Sequence, residues 1–149
     1  MTGAMLELRD VAIRRGDHRL FPPLTCRIVP GRPVAVMGPS GAGKSSLLAW
    51  LTGVLPSGLA GEGEVLLDGV SVLGLPAHRR RIGILFQDDL LFPHLTVGEN
   101  LAFALPAGPD RTARRGRIEQ ALARVELVGF ADRGPSTLSG GERGRVGLV

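Results

Sequence analysis

The stretch Gly38-Pro39-Ser40-Gly41-Ala42-Gly43-Lys44-Ser45 fits the pattern G-x-x-x-x-G-K-[ST], and it constrains the chain more than any other feature. Glycines at these positions let the backbone turn with positive φ, so successive N–H groups converge and cradle phosphate oxygens. A helix opening near Gly43 adds unpaired amides and the positive end of its dipole. Lys44 supplies a mobile cation for β- and γ-phosphates, Ser45 a hydroxyl ligand for Mg²⁺, and Ser46 a donor for the α-phosphate. Such a loop works between a strand and a helix, and both flanks agree. Val34-Ala35-Val36-Met37 is a short apolar run between Pro33 and Gly38, which suits a strand buried on both faces of a parallel sheet. Lys44 to Val54 reads as a helix with Leu47, Leu48, Leu51 and Leu55 on one face. Ala49 and Trp50 leave it little polar surface, so it is expected to be buried.

Strand and helix patterns alternate along the rest of the chain and predict an α/β domain. Leu6 to Ile13 and Thr25 to Val29 read as strands, separated by Pro22-Pro23. Glu64 to Leu67 reads as another, closed by an Asp68-Gly69 turn. Ile82 to Phe86 is a second candidate for the buried sheet. The spacing Thr96-x-x-Glu99 makes a capping box that opens a helix to about Ala104, and Pro106 to Asp110 reads as a loop. Ile118, Ala121, Leu122 and Val125 fall on one helical face, opposite Glu119, Gln120 and Arg124.

Composition excludes several classes. With 149 residues, 44% hydrophobic, the chain can bury a sizeable core. No apolar run reaches the roughly 18 residues of a membrane helix, and no secretory leader is visible at the N-terminus. A lone cysteine, Cys26, builds neither an internal disulfide nor a zinc site and reads as a small buried residue. His18, His78 and His94 lack metal-ligand spacing and read as surface residues. Net charge is +4, and of 18 basic residues only Lys44 is a lysine. Arg79–Arg81 and Arg111, Arg114, Arg115 and Arg117 form basic clusters. No aromatic stacking motif accompanies them, so they are read as solvated faces and no nucleic-acid partner is expected.

Leu138-Ser139-Gly140-Gly141-Glu142-Arg143 is the second strong pattern. Locally, Ser139-x-x-Glu142 is another capping box. Two glycines at a helix start also bare backbone amides, and the Ser139 hydroxyl beside them completes an anion seat. About ninety-five residues after a phosphate-binding loop, this peptide resembles the LSGGQ/LSGGE signature of ATP-binding subunits of ABC transporters. The segment Arg79 to Asn100, with Gln87 and FPHLTVGEN, is similar to the Q-loop of the same family.

The resemblance implies a P-loop NTPase fold of the ABC ATPase type, with N-terminal antiparallel strands and a helical lobe over about residues 95–140. It implies ATP and Mg²⁺ as ligands. Gly38, Pro39, Ser40, Gly41, Ala42, Gly43, Lys44, Ser45 and Ser46 would hold the phosphates, with Ser45 and Gln87 on the metal and Lys44 and Gln87 serving catalysis. Ser139, Gly140, Gly141 and Glu142 would seat the γ-phosphate held by a second copy. Arg15 stands where the family usually has an adenine-stacking aromatic, and a guanidinium plane can take that place. Leu90, Leu91, Phe92 and Leu95 would help form a groove for a permease's coupling helix. The expected setting is cytoplasmic, on the inner face of a membrane.

The family pattern continues past the signature with an apolar strand ending in Asp and Glu, then a D-loop and a switch histidine. Only Arg143 to Val149 follow the signature here, so the expected domain, residues 1–149, is incomplete at its C-terminus. Gly144 and Gly147 inside the signature helix predict that it frays. The leading expectation is the ATP-binding part of an importer subunit, with a likeness to importers of thiamine-like solutes. A non-hydrolytic nucleotide-binding module and an ABC ATPase of DNA repair or translation are the alternatives.

Overall fold

The computed structural model describes residues 4–86, 91–105 and 110–149. These form two compact units, residues 1–84 and 85–149.

The first unit is an antiparallel sheet with one helix. β1 (Leu6–Arg15) is the central strand. One of its edges pairs with β4 (Ala60–Leu67), from Leu6 opposite Leu67 to Arg14 opposite Ala60. Its other edge pairs with β3 (Leu24–Ile28) and, at the hairpin end, with β2 (His18–Arg19). A bulge at Asp10 shifts both registers. Asp10 sits at φ 48°, its N–H donates to Thr25 Oγ1 at 2.9 Å, and Gly63 opposite leaves room for its carbonyl. The bulge breaks the two-residue alternation, which is why Arg9 and Asp10 are exposed in succession while Leu8 and Val11, three positions apart, both enter the core. Asp68 (φ 50°) and Gly69 (φ 79°) turn β4 into β5 (Val70–Ser71) as the Asp-Gly pair predicts.

α1 (Lys44–Thr52) packs on this sheet through Leu47, Trp50 and Leu51, joining Leu8, Val11, Ile13, Val65 and Val72 in one core. Its seat depends on Gly61 of β4, where a Cβ would lie 2.0 Å from the Trp50 indole. The expected one-sided leucine face is only partly realised, since Leu48 is exposed.

Two expected strands are corrected. Val34–Met37 and Ile82–Phe86 form no ladder, and Val34, Val36, Met37, Leu85 and Phe86 are exposed. An apolar run becomes a strand only when a neighbour satisfies its amides, and among the described residues no strand pairs with either run. The sheet that does form is therefore wholly antiparallel. Val34–Met37 and Ile82–Ile84 instead line an apolar groove of about 430 Å³ against Leu6, Cys26 and Leu47. Cys26 is half-buried there rather than fully buried.

The second unit is helical. α2 (Val97–Ala104) and α3 (Arg111–Arg124) pack with α4 (Gly140–Val146) around Val97, Ile118, Leu122, Leu127, Leu138 and Val146. Thr96 caps α2 in a full capping box, and Asp110 caps α3 by accepting from Thr112 and Ala113. The first amides of α2, on Val97 and Gly98, donate to Arg133 and Ala131 carbonyls at 2.9 and 2.7 Å. No helix among the described residues is long and apolar enough to cross a membrane.

Candidate functional site: the loop before α1

The residues Gly38 to Ser46 form one continuous turn into α1. Gly41 (φ 79°) and Gly43 (φ 84°) take left-handed conformations that a side chain would strain. Gly43 is the N-cap of α1, and no side chain caps that end. The first helical bond runs from the Leu47 N–H to the Gly43 carbonyl at 2.8 Å. The amides of Lys44, Ser45 and Ser46 thus precede the first helical bond and are the groups a helix start offers to an anion. At Gly41 a Cβ would meet nothing within 4 Å, so the loop faces open space there.

The Lys44 ammonium folds back onto its own loop. Nζ donates to the Gly38 carbonyl at 2.8 Å and to the Pro39 carbonyl at 2.7 Å. These are neutral acceptors, and a phosphate oxygen brought into the loop would offer a charged and stronger one. The donor set of backbone amides, one ammonium and the Ser45 and Ser46 hydroxyls fits a magnesium-bound polyphosphate by charge and by kind.

Two residues that sequence reading passed over complete the loop. Leu20 and Phe21 lie against Gly43, where a Cβ would come within 3.1 Å of Leu20 and 3.2 Å of Phe21. The Leu20 N–H donates to the Ile13 carbonyl at 2.8 Å, so the β1–β2 hairpin fixes this pair beside the N-terminus of α1. The signal was an apolar Leu-Phe step directly before Pro22-Pro23. Arg15 stands at the end of β1 opposite His18, exposed and without an ion-pair partner among the described residues.

The peptide Ser139–Glu142 belongs to the helical unit and starts α4. Ser139 Oγ accepts from the Glu142 N–H at 3.3 Å, and the Glu142 carboxylate accepts from the Ser139 N–H at 2.6 Å. That main-chain bond holds the Glu142 carboxyl below the usual carboxylate range, and the Thr96 N–H does the same for Glu99. The local capping-box reading is therefore realised in both places. Arg143 adds a bond from Nη1 to the Leu138 carbonyl at 2.7 Å. Gln87, Asp88 and Leu90, and Pro106–Pro109 of the expected loop, lie outside the described residues.

The basic runs are not wholly solvated: Arg114 is half-buried and donates from Nη2 to the Ala102 and Leu105 carbonyls. Arg79 and Arg81 are exposed as expected, but Arg80 is buried. The three histidines are exposed, and no cluster of metal-ligating side chains occurs among the described residues.

The chain is 43% identical over 145 residues to an uncharacterized ABC transporter ATP-binding protein, YnjD, of Escherichia coli K12, covering 97% of this chain and 67% of that one. It is 42% identical to the thiamine import ATP-binding protein ThiQ of Cereibacter sphaeroides, covering 97% of this chain and 61% of the relative. It is 39% identical to the Fe(3+) ions import ATP-binding protein FbpC of Streptomyces avermitilis, covering 97% of this chain but only 41% of the relative. The chain thus spans about two thirds or less of the length of these relatives. Among solved structures, the ATP-binding cassette MJ0796, a dimer in a post-hydrolysis state bound to ADP and Pi, superposes with a TM-score of 0.75 at 30% identity. It covers 96% of this chain and 67% of its own. The model of the ABC transporter family matches residues 21–149, and the chain belongs to that family, with the P-loop α/β fold of its ATPases.

Proposed function

We propose that the chain is the nucleotide-binding part of an importer's ATP-binding subunit, and the observation that carries this reading is the loop Gly38–Ser46 with Lys44 folded over it. Lys44 would exchange two loop carbonyls for β- and γ-phosphate oxygens. The Lys44–Ser46 amides would hold the phosphates, and the Ser46 hydroxyl the α-phosphate. Ser45 and Gln87 would hold Mg²⁺, whose chemistry is to neutralise phosphate charge. Arg15 would stack on the base. Ser139–Glu142 would meet the γ-phosphate bound to a second copy, and the segment around Leu91, Phe92 and Leu95 would receive the permease at the inner face of the membrane.

The names of the relatives support import over repair or translation. They span Fe(3+) ions, spermidine/putrescine and thiamine. That spread supports a common nucleotide engine, with solute choice made elsewhere; thiamine is the solute named for one relative. Among these residues none corresponds to the Asp and Glu that the family places after its signature, so the 149-residue chain by itself is proposed to bind nucleotide without turning it over.

The test is a titration of a fluorescent ATP analogue with Mg²⁺ against the chain and its Lys44→Ala variant. The expected result is at least tenfold weaker binding by the variant. Equal affinities would contradict the assignment. In a chain extended to the length of its relatives, Gln87→Ala should spare binding while slowing permease-stimulated hydrolysis.

A further inference from the structure

Arg80 is 8% exposed and, among the described residues, no carboxylate pairs with it. Its donors go to main-chain carbonyls instead. Nε donates to Leu75 at 2.9 Å, Nη1 to Trp50 at 2.7 Å and to Leu51 at 3.2 Å, and Nη2 to Leu73 at 3.3 Å. A guanidinium stays charged at any working pH, so its burial is tolerated only where fixed dipoles replace water. Here two of those dipoles, on Trp50 and Leu51, belong to the negative end of α1.

α1 carries no basic residue in its own last turn. Arg80 supplies that charge from a distant loop. The end of the helix is shaped to admit it. Gly53 takes φ 84°, and its N–H donates to the Trp50 carbonyl at 3.1 Å, leaving that oxygen shared with Arg80 Nη1. A Cβ on Gly53 would stand 2.8 Å from Arg80 Nε and 3.2 Å from the Ala77 Cα. Gly53 is thus required both by its backbone angle and by the room the guanidinium occupies.

The opposite end of the same nine-residue helix is the phosphate loop. A helix this short, about 13 Å from end to end, moves as a rod. A tilt or slide at Trp50–Leu51 is therefore passed on to the amides of Lys44–Ser46. We propose that Arg80 is a positioning residue for nucleotide binding. It clamps the C-terminal carbonyls of α1 to the Leu73–Leu75 segment and so fixes where the helix presents its N-terminal amides to phosphate. This inference rests on the nucleotide-binding reading given above.

The experiment titrates the fluorescent ATP analogue with Mg²⁺ against the full 149-residue chain and its Arg80→Met, Arg80→Lys and Lys44→Ala variants. Circular dichroism sets a temperature at which each is folded. Arg80→Met keeps the apolar stem but loses every donor, and it should raise the dissociation constant at least fivefold. Arg80→Lys retains a charge that reaches the Trp50 carbonyl, and it should fall between Arg80→Met and the parent. A residue that served stability alone would lower the melting temperature and leave the affinity of the folded chain unchanged. Parental affinity in folded Arg80→Met would overturn the proposal. Should Arg80→Met not fold, parental affinity in Arg80→Lys would overturn it equally, and a twofold or larger loss there would support it. A parent chain that binds no better than Lys44→Ala would overturn the nucleotide reading itself, and this inference with it.

Discussion

Asn100 and Phe92 bind each other twice: the Phe92 N–H donates to Asn100 Oδ1 at 2.7 Å, and Asn100 Nδ2 donates back to the Phe92 carbonyl at 3.2 Å. The same Nδ2 reaches the Leu95 and Thr96 carbonyls at 3.3 and 2.9 Å. One amide on the first turn of α2 therefore closes the loop that precedes it. Asn100→Ala should cost about 1 kcal/mol of stability, with no change in the core. Hydrogen exchange at the Phe92 amide should quicken well beyond that of the Leu122 region. An unchanged Phe92 exchange rate would contradict the clamp.

Local chemistry made much of this fold legible. The capping boxes at Thr96 and Ser139 and the Asp68-Gly69 turn depend on residues within four positions, and all three form. The turn from Gly38 into α1 was legible for the same reason, since its glycines set the backbone within one turn. Non-local dependence hid the rest. Val34–Met37 has the composition of a buried strand, but a ladder also needs a neighbour, which no periodicity reports. Arg80 reads as surface because it stands between two exposed arginines. Its burial is decided by the end of a helix nearly thirty residues earlier in the chain. Asn100 was visible only as part of a family motif, and its loop-closing role needed the carbonyls in place.

Gly61→Ala should be severely destabilising. The added methyl would lie 2.0 Å from Trp50 Nε1 and Cε2, with β4 backbone on one side and the buried helix on the other. Overpacking of this kind costs roughly 1–3 kcal/mol and here belongs at the upper end. Trp50→Leu opens the same space, so the double variant should lose less than the sum of the two. A urea melt of Gly61→Ala that matches the parent would show that the helix is not seated on this strand.

Acid should loosen the two helix starts. Main-chain N–H groups of Thr96 and Ser139 hold the carboxyls of Glu99 and Glu142 below their usual range in the folded chain. In the unfolded chain these groups return to an ordinary value of roughly 4.3 and bind protons first. Unfolding therefore takes up protons, and the stabilisation is fully present above that ordinary value and lost as pH falls through the lower folded one. Glu62, lowered by Arg19 and Arg14, and Glu7, lowered chiefly by Arg9, act with the same sign in the sheet. The Glu99→Gln, Glu142→Gln variant should show a shallower fall of melting temperature between about pH 4.5 and 2.5 than the parent. Superimposable acid limbs would rule out the capping carboxylates as its source.

Substitution at Gly41 and Gly43 should separate backbone strain from crowding. Gly41 and Gly43 have nearly the same angle, φ 79° and 84°, so alanine at either costs roughly 1–2 kcal/mol from the left-handed conformation alone. Their surroundings differ. At Gly41 the new methyl meets nothing within 4 Å, whereas at Gly43 it presses Leu20 at 3.1 Å and Phe21 at 3.2 Å. Gly43→Ala should therefore lower the melting temperature further than Gly41→Ala. Leu20→Ala, introduced into the Gly43→Ala background, should recover part of that difference, because the contact is with a side chain that can be shortened. Equal melting temperatures for the two glycine variants would show that the Leu20–Phe21 pair does not brace the loop.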